Sequence, residues 1–403
     1  MNQPLRAAQI TEHVYWVGAI DWAARDFHGY RIGRGTSYNA YLVLADKVTL
    51  IDTVKDHFER EMVTRIASVI DPQRIDYVIS NHAEFDHSGC LPRVIAELRP
   101  ERVFASRRGV AALADHFHFG QEITPVKEGE SLSLGDMTLA FVETPMLHWP
   151  ESMFTYLAQE RVLFSNDAFG MHLASSARFA DEVDDAIVRE EAARYFANIL
   201  MPLSPLVTAL LEKVRKLDLA VDVIATSHGP IWRKDLDQVL ARYAAWAAHP
   251  PTTKAVVAYG TMWGSTDLMA RAICDGLAAG GASAVLMPLA ASHRSDVAAE
   301  VLDAGALVVG SPCLNGGILP TVGDLLTYLK GLKPRNLVGA AFGSYGWSGE
   351  AVGLIENVLR EMKIELVGAG VQAKFVPCDK DLQECYDLGA AAADKLKGMV
   401  SPV

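Results

Sequence analysis

Seven side chains of the 403-residue chain have the types and spacing of a metal centre. Four of them crowd into S-N-H-A-E-F-D-H-S-G at 80–89: His82, Glu84, Asp86 and His87. This stretch follows a short apolar run, 75–79, that reads as a buried strand, and it precedes an expected helix over 90–98. It is therefore a loop at the carboxyl end of a strand, where α/β folds place their chemistry. If the loop stays extended, alternation turns three of these side chains the same way. Two imidazoles and two carboxylates this close repel or desolvate one another unless a cation stands among them. The competing reading is a polar loop around a buried salt bridge. His148, Asp167 and His228 each close a further strand-like run, at 141–147, 162–166 and 223–227. Taken singly, each suits a structural role.

Together, in this order and at these spacings, the seven resemble the metallo-β-lactamase superfamily, whose loop reads H-x-H-x-D-H and binds zinc. Glu84 replaces the second histidine here. H-x-E-x-D-H followed by His, Asp and His resembles the flavodiiron proteins, two-domain enzymes that reduce dioxygen or nitric oxide at a non-haem diiron centre. A carboxylate in place of an imidazole suits iron cycling between ferrous and ferric. The resemblance implies one iron on His82, Glu84 and His148, a second on Asp86, His87 and His228, and Asp167 as the bridge. His87 either stays on the metal or leaves its place to water. The resemblance also implies an αββα sandwich for the first domain, with Asp52 supporting the metal loop. It brings the segment of Phe27 and His28 near the pocket in a shaping role, and Tyr195 near it as a proton or hydrogen-bond donor. His172 is expected to support the ligands rather than to be one. His116 and His118, in D-H-F-H-F-G, lie outside any strand-end loop and read as packing or surface residues.

A proline pair, Pro250-Pro251, ends an expected helix at 236–248 and divides the chain into domains at 1–250 and 254–403. Beyond it, strand and helix alternate five times, the pattern of a doubly wound parallel sheet. After the first strand comes T-M-W-G-S-T, with Thr261, Met262, Trp263, Gly264, Ser265 and Thr266 at the start of a helix, an anion site by its hydroxyls and N–H groups. It resembles the flavodoxin phosphate loop, with Trp263 in a position where flavodoxins carry a hydroxyl. The third strand runs into a loop with Pro312, Cys313, Asn315, Gly316 and Gly317, and the fourth into one with Ser344, Tyr345, Gly346 and Trp347. Glycines let backbone approach a ring edge, and Tyr345 or Trp347 can stack on one. Three such loops on one sheet edge point to FMN. The expected fold class is α/β, a metallo-β-lactamase-like αββα sandwich followed by a flavodoxin-like five-stranded parallel sheet.

Composition narrows the partners. A net charge of −12 argues against nucleic acid. No uninterrupted apolar run reaches membrane-spanning length, and residues 1–10 lack a secretion signal. Five scattered cysteines without C-x-x-C point to a reducing cytoplasm. Neither a rubredoxin module nor a nicotinamide fingerprint is present, so electrons are expected from a separate carrier: rubredoxin, with a reduced deazaflavin as the alternative. Dioxygen takes four electrons, two from the flavin and two from the ferrous ions; coupling two nitric oxides needs two. The family pattern implies a head-to-tail homodimer, or a dimer of dimers, that brings FMN of one chain to the irons of the other. The alternative is a metallo-hydrolase with a flavodoxin-like regulatory module.

Overall fold

A computed structural model describes residues 5–400. Residues 1–4 and 401–403, which include the outer ends of both expected domains and part of the segment read for a secretion signal, lie outside the described residues. The chain divides into two compact units: 1–27, 32–195 and 205–244 form the first; 28–31, 196–204 and 245–403 form the second.

The first unit is built on two sheets. A seven-stranded sheet runs in the order Ala8–Gln9, Val14–Trp16, Tyr41–Val43, Thr49–Ile51, Tyr77–Ser80, Arg102–Ser106, Ile123–Val126. The second runs Ser131–Ser133, Thr138–Glu143, Met153–Leu157, Val162–Asn166, Val223–Thr226. Strand parity sorts the core. Tyr41, Val43, Ile51, Ile79 and Phe104 join Phe141, Met153, Leu157 and Phe164 of the other sheet in one buried cluster. The alternate residues Leu42, Leu50, Val78 and Val103 pack instead with Met62, Ile66, Leu91 and Val94 from the helices Glu59–Ala67 and Leu91–Leu98. Successive side chains point to opposite faces, so one sheet serves both a sheet-to-sheet and a sheet-to-helix core.

Several strands were not anticipated: the short N-terminal ones, and Ile123–Val126, which pairs parallel to Arg102–Ser106. The helix Arg107–His116 ends at the first histidine of D-H-F-H-F-G. One helical run, Asp185–Leu217, has the length and mean hydropathy of a membrane span; charged residues interrupt it and half of its apolar window is buried. Inside it the α-helix Asp185–Tyr195 gives way to a π-turn at Phe196–Leu200 before Ser204–Leu217 resumes.

The second unit is a parallel sheet in the order Ser283–Pro288, Lys254–Tyr259, Ala306–Gly310, Val338–Tyr345, with Glu365–Leu366 and Val371–Lys374 both pairing with the last. The fifth position, expected as one strand, is split into two short ones. The first strand therefore lies between the second and the third, the switch point that opens a crevice at the carboxyl edge. Tyr259, Gly310 and Phe342 are in register there, so the loops that follow emerge side by side.

Candidate metal centre and flavin pocket

The strand register positions the metal side chains. Asn166 and Thr226 are paired neighbours on parallel strands, so Asp167 and His228 leave the same sheet edge together. The His228 turn is braced from the other sheet. Asn39 Nδ2 donates to the carbonyls of Thr226 (2.8 Å) and Gly229 (2.9 Å), and the Tyr41 hydroxyl donates to Thr226 at 2.6 Å. Gly229 takes a φ of +74°, and a Cβ there would meet the Met171 carbonyl at 2.5 Å, so the turn after His228 requires glycine. The 80–89 loop is braced by Asp52, whose two oxygens accept from Asn81 N–H (2.7 Å) and Asn81 Nδ2 (2.9 Å).

That loop is not extended throughout. It turns helical over Phe85–Ser88, tied by the Thr53 hydroxyl to the His87 carbonyl at 2.6 Å. The expected three-way alternation gives way to a two-way division: His82 and Glu84 face one group of ligand atoms, Asp86 and His87 another. His82, Glu84, His148 and Asp167 form the first group, Asp86, His87 and His228 the second. In the first, Glu84 Oε2 lies 3.2 Å from His82 Nε2 and 3.1 Å from His148 Nε2. In the second, His228 Nε2 lies 3.1 Å from Asp86 Oδ2, and His87 Nε2 lies 3.3 Å from Asp86 Oδ1. Asp167 faces both. Its Oδ2 is 3.3 Å from His82 and 3.2 Å from His148, and its Oδ1 is 3.1 Å from His87 and 3.3 Å from His228.

The donor set fits metal. Both oxygens of Asp86 and Asp167 and both nitrogens of His87 are buried without a hydrogen bond. Such atoms are costly unless something cationic engages them. Separations of about 3.0–3.4 Å are the ligand-to-ligand edges expected around an ion bound at about 2.1 Å. Among themselves the groups settle as ion pairs. Burial would lower the His148 imidazole, but the Asp167 and Glu84 carboxylates beside it raise it to about 9; burial opposes the same rise at His228, which Asp167 and Asp86 carry to about 10. Burial likewise favours the neutral acid at Glu84, yet the His148 and His82 imidazoles hold it well below the usual carboxylate range. A bound metal displaces those imidazole protons.

The neighbouring rings are ordered around His228. His172 stands 4.8 Å from it, and Tyr195 stands 5.0 Å from His172 and 6.2 Å from His228. Burial, aided by His228, pushes His172 well down, and burial with the Asp167 charge pushes the Tyr195 phenol well up, so both are neutral. Of the 25–30 segment, Phe27 is the ring beside His172 and His228, at 4.8 and 6.2 Å. His28, with a φ of +53°, groups with the second unit. His116 stacks on Phe85 at 4.7 Å, a packing role, and His118 is exposed. Sequence reasoning missed Glu151, which receives the Nδ1–H of His82 at 2.7 Å. A carboxylate three residues after a ligand histidine was the available signal, since ligating imidazoles usually donate their other nitrogen to such a group.

In the second unit a cavity of about 370 Å³ opens at the sheet edge. It is lined by Met262, Trp263 and Ser265 from the first loop, and by Pro312, Cys313 and Asn315 from the second. Ser344, Tyr345, Gly346 and Trp347 line it from the third. Leu314 and Phe375 line it as well and were not singled out. An exposed aromatic just past the strand Val371–Lys374 was the clue to Phe375. Thr261, Gly264, Thr266, Gly316 and Gly317 shape the loops rather than line the cavity. The Thr261 hydroxyl accepts from Gly264 N–H at 3.1 Å, Gly264 begins the helix Ser265–Ala279 at a φ of +88°, and Thr266 shares a hydrogen bond with Ser344 at 3.1 Å. A pocket of this size with two indoles at its rim, Trp263 94% and Trp347 89% exposed, suits a flat ring system joined to a phosphate.

Comparison with known proteins agrees on both halves. The ODP family beta lactamase model matches 36–229, and the flavodoxin model matches 257–389. A nitric oxide reductase of Moorella thermoacetica is 48% identical over 98% of this chain and 100% of its own. The solved rubredoxin oxygen:oxidoreductase of Desulfovibrio gigas superposes with a TM-score of 0.97 at 41% identity, covering 98% of this chain and 100% of that one. The flavodiiron protein of Giardia intestinalis superposes at 0.96 with 33% identity, covering 99% of each.

The chain belongs to the flavodiiron protein family. This flavodiiron protein is thus an oxidoreductase whose cofactors are a diiron centre and FMN, and the hydrolase alternative gives way.

Proposed function

We propose that this flavodiiron protein reduces dioxygen to water, nitric oxide to nitrous oxide, or both, with electrons delivered by rubredoxin. The observation that carries the reading is the division of Asp167, one oxygen toward each ligand group. A carboxylate so placed spans two metals, and Glu84 makes the set richer in hard oxygen donors than a zinc hydrolase requires. His82, Glu84 and His148 would hold one iron, Asp86, His87 and His228 the other, with Asp167 between. The flavin supplies two electrons when bound, and the iron pair supplies two more. Neutral Tyr195 is the proton or hydrogen-bond donor for substrate, His172 holds the wall beside His228, and His28 shapes the approach. The lining of the 370 Å³ cavity supports FMN at Met262, Trp263, Tyr345 and Trp347, with its phosphate at the 261–266 loop.

The relatives' names support the donor and both gases. A reduced deazaflavin is the alternative donor. We assign the metal-bearing domain to 1–250 and the flavin domain to 254–403, the protein to the cytoplasm, where its five free cysteines stay reduced, and the assembly to a head-to-tail dimer or a dimer of dimers. Metal and flavin analysis with anaerobic consumption assays for both gases tests the function. Two irons and one FMN per chain are expected, with turnover of at least one gas from reduced rubredoxin. Zinc without flavin, or no gas consumption, would overturn it. Subunit exchange between an iron-deficient variant (His82→Ala with His148→Ala) and a flavin-deficient one (Thr261→Ala with Thr266→Ala) tests the dimer. Recovered activity supports it, and none despite proven exchange counts against it.

A further inference from the structure

The two iron pockets match closely in their ligands. Each has two imidazoles and one carboxylate of its own, and each takes one oxygen of Asp167. They differ in what stands behind the imidazoles. In the first, His82 Nδ1 donates to Glu151 Oε1 at 2.7 Å, and the Glu151 side chain is only 3% exposed. The same oxygen accepts the Ala83 N–H at 3.1 Å, and the Glu151 main-chain carbonyl accepts the Ser106 hydroxyl at 2.7 Å, so the residue is held at its side chain and at its main chain. In the second, His228 Nδ1 donates to a neutral acceptor, the Ser37 carbonyl, at 2.7 Å. His87 Nδ1 is buried and makes no hydrogen bond. Asp52, a buried carboxylate that braces the same loop, directs both oxygens to Asn81.

An imidazole that donates to a carboxylate is held in one tautomer and is the stronger donor at its other nitrogen; one that donates to a carbonyl is less so, and one without a partner is not oriented at all. We propose that Glu151 is a positioning residue that makes the pocket of His82, Glu84 and His148 the tighter of the two, so that the chain gives up its irons in order, the iron of Asp86, His87 and His228 first. The proposal rests on the assignment of the two ligand groups to two irons.

The test follows iron release from the reduced holoenzyme, kept anaerobic, into an excess of a coloured ferrous chelator. Wild type should release two irons in two separate phases. His228→Ala should retain only the slow phase and His148→Ala only the fast one. Glu151→Gln keeps the shape and an acceptor oxygen but removes the charge. It should accelerate the slow phase about 10- to 100-fold, the range typical of lost support behind a ligand, with FMN content and far-UV circular dichroism unchanged. If Glu151→Gln does not fold, the comparison of wild type with the two histidine variants still decides the order. A single phase of two irons in wild type would overturn the proposal. So would a slow phase that survives in His148→Ala, or loss of both phases together in either histidine variant, or a folded Glu151→Gln with an unchanged slow phase. Fewer than two irons in wild type would instead fail the site assignment on which the proposal rests.

Discussion

The metal region and the flavin region hold their cofactors by opposite means. The metal ligands other than His148 are buried, and their carboxylates and imidazoles are set by bracing from two sheets. The flavin cavity is open, lined by loop residues, and flanked by two nearly bare indoles. A metal site needs charge placed to within tenths of an ångström, so it is built inside and stiffened by hydrogen bonds. A flavin needs area and a phosphate cradle, which three glycine-containing loops on a sheet edge supply. Loss of one group should therefore be severe in the first region and partial in the second.

Asp167→Asn is the hardest blow to that contrast. It keeps the shape but removes the one charge that both pockets share. Iron should fall well below two per chain and gas consumption by more than about 100-fold, beyond the loss typical of supporting residues, while FMN content stays at one. Elemental analysis beside flavin absorbance reads both. Full iron with normal turnover would remove Asp167 from the bridge.

Glu84→His sharpens the comparison within the metal region. It exchanges an anionic oxygen 3.1–3.2 Å from two imidazoles for a neutral nitrogen. The zinc-to-iron ratio after growth in mixed metals should rise, and reductase activity should be lost with flavin binding intact. Wild-type oxygen consumption by this variant would end the role given to Glu84.

What could be read in advance follows the same division. His82, Glu84, Asp86, His87, His148, Asp167 and His228 were legible because each is a chemically distinct side chain just past an apolar strand. The flavin loops were legible from glycines and aromatics at strand ends. Three features were not. The Ser37 carbonyl behind His228 is backbone and carries no side-chain signature. The helical turn Phe85–Ser88 splits one motif between two pockets, which alternation along an extended loop does not foresee. The segments 28–31 and 196–204 group with the second unit because long-range packing outweighs chain order. In that unit Asn198 Nδ2 donates to the Ser295 carbonyl and the Tyr328 hydroxyl donates to Asn198.

Trp347→Ala tests the open side. The indole lines the cavity yet is 89% exposed, so its loss removes stacking area without opening a core. FMN affinity should weaken by about 10-fold, the scale of one aromatic contact, with iron content unmoved. Flavin fluorescence on dilution measures it. An unchanged dissociation constant would mean that the flavin does not meet Trp347.

The smallest effect concerns two kinds of buried imidazole. The ligand imidazoles of the metal region face carboxylates, and His148 and His228 are raised. His249, in the flavin-bearing unit, is buried with Ser204 Oγ 3.3 Å from its Nε2. Burial, with the Arg335 charge beside it, lowers it to about 4. Unfolded, it returns to about 6.5. Between these values the unfolded chain binds a proton that the folded chain refuses, so stability is full above about pH 6.5 and falls as pH drops toward 4. The slope from this one group is at most about 1.4 kcal/mol per pH unit. His249→Gln removes the titration and keeps a polar end for Ser204. Denaturation followed by flavin release, compared between wild type and variant from pH 7 to pH 4.5, should show the variant losing less stability across that range. Because every other titrating group is common to both proteins, their difference isolates His249. Parallel curves would show that the imidazole titrates as if exposed, and the contrast between the two regions would then rest on their cofactors alone.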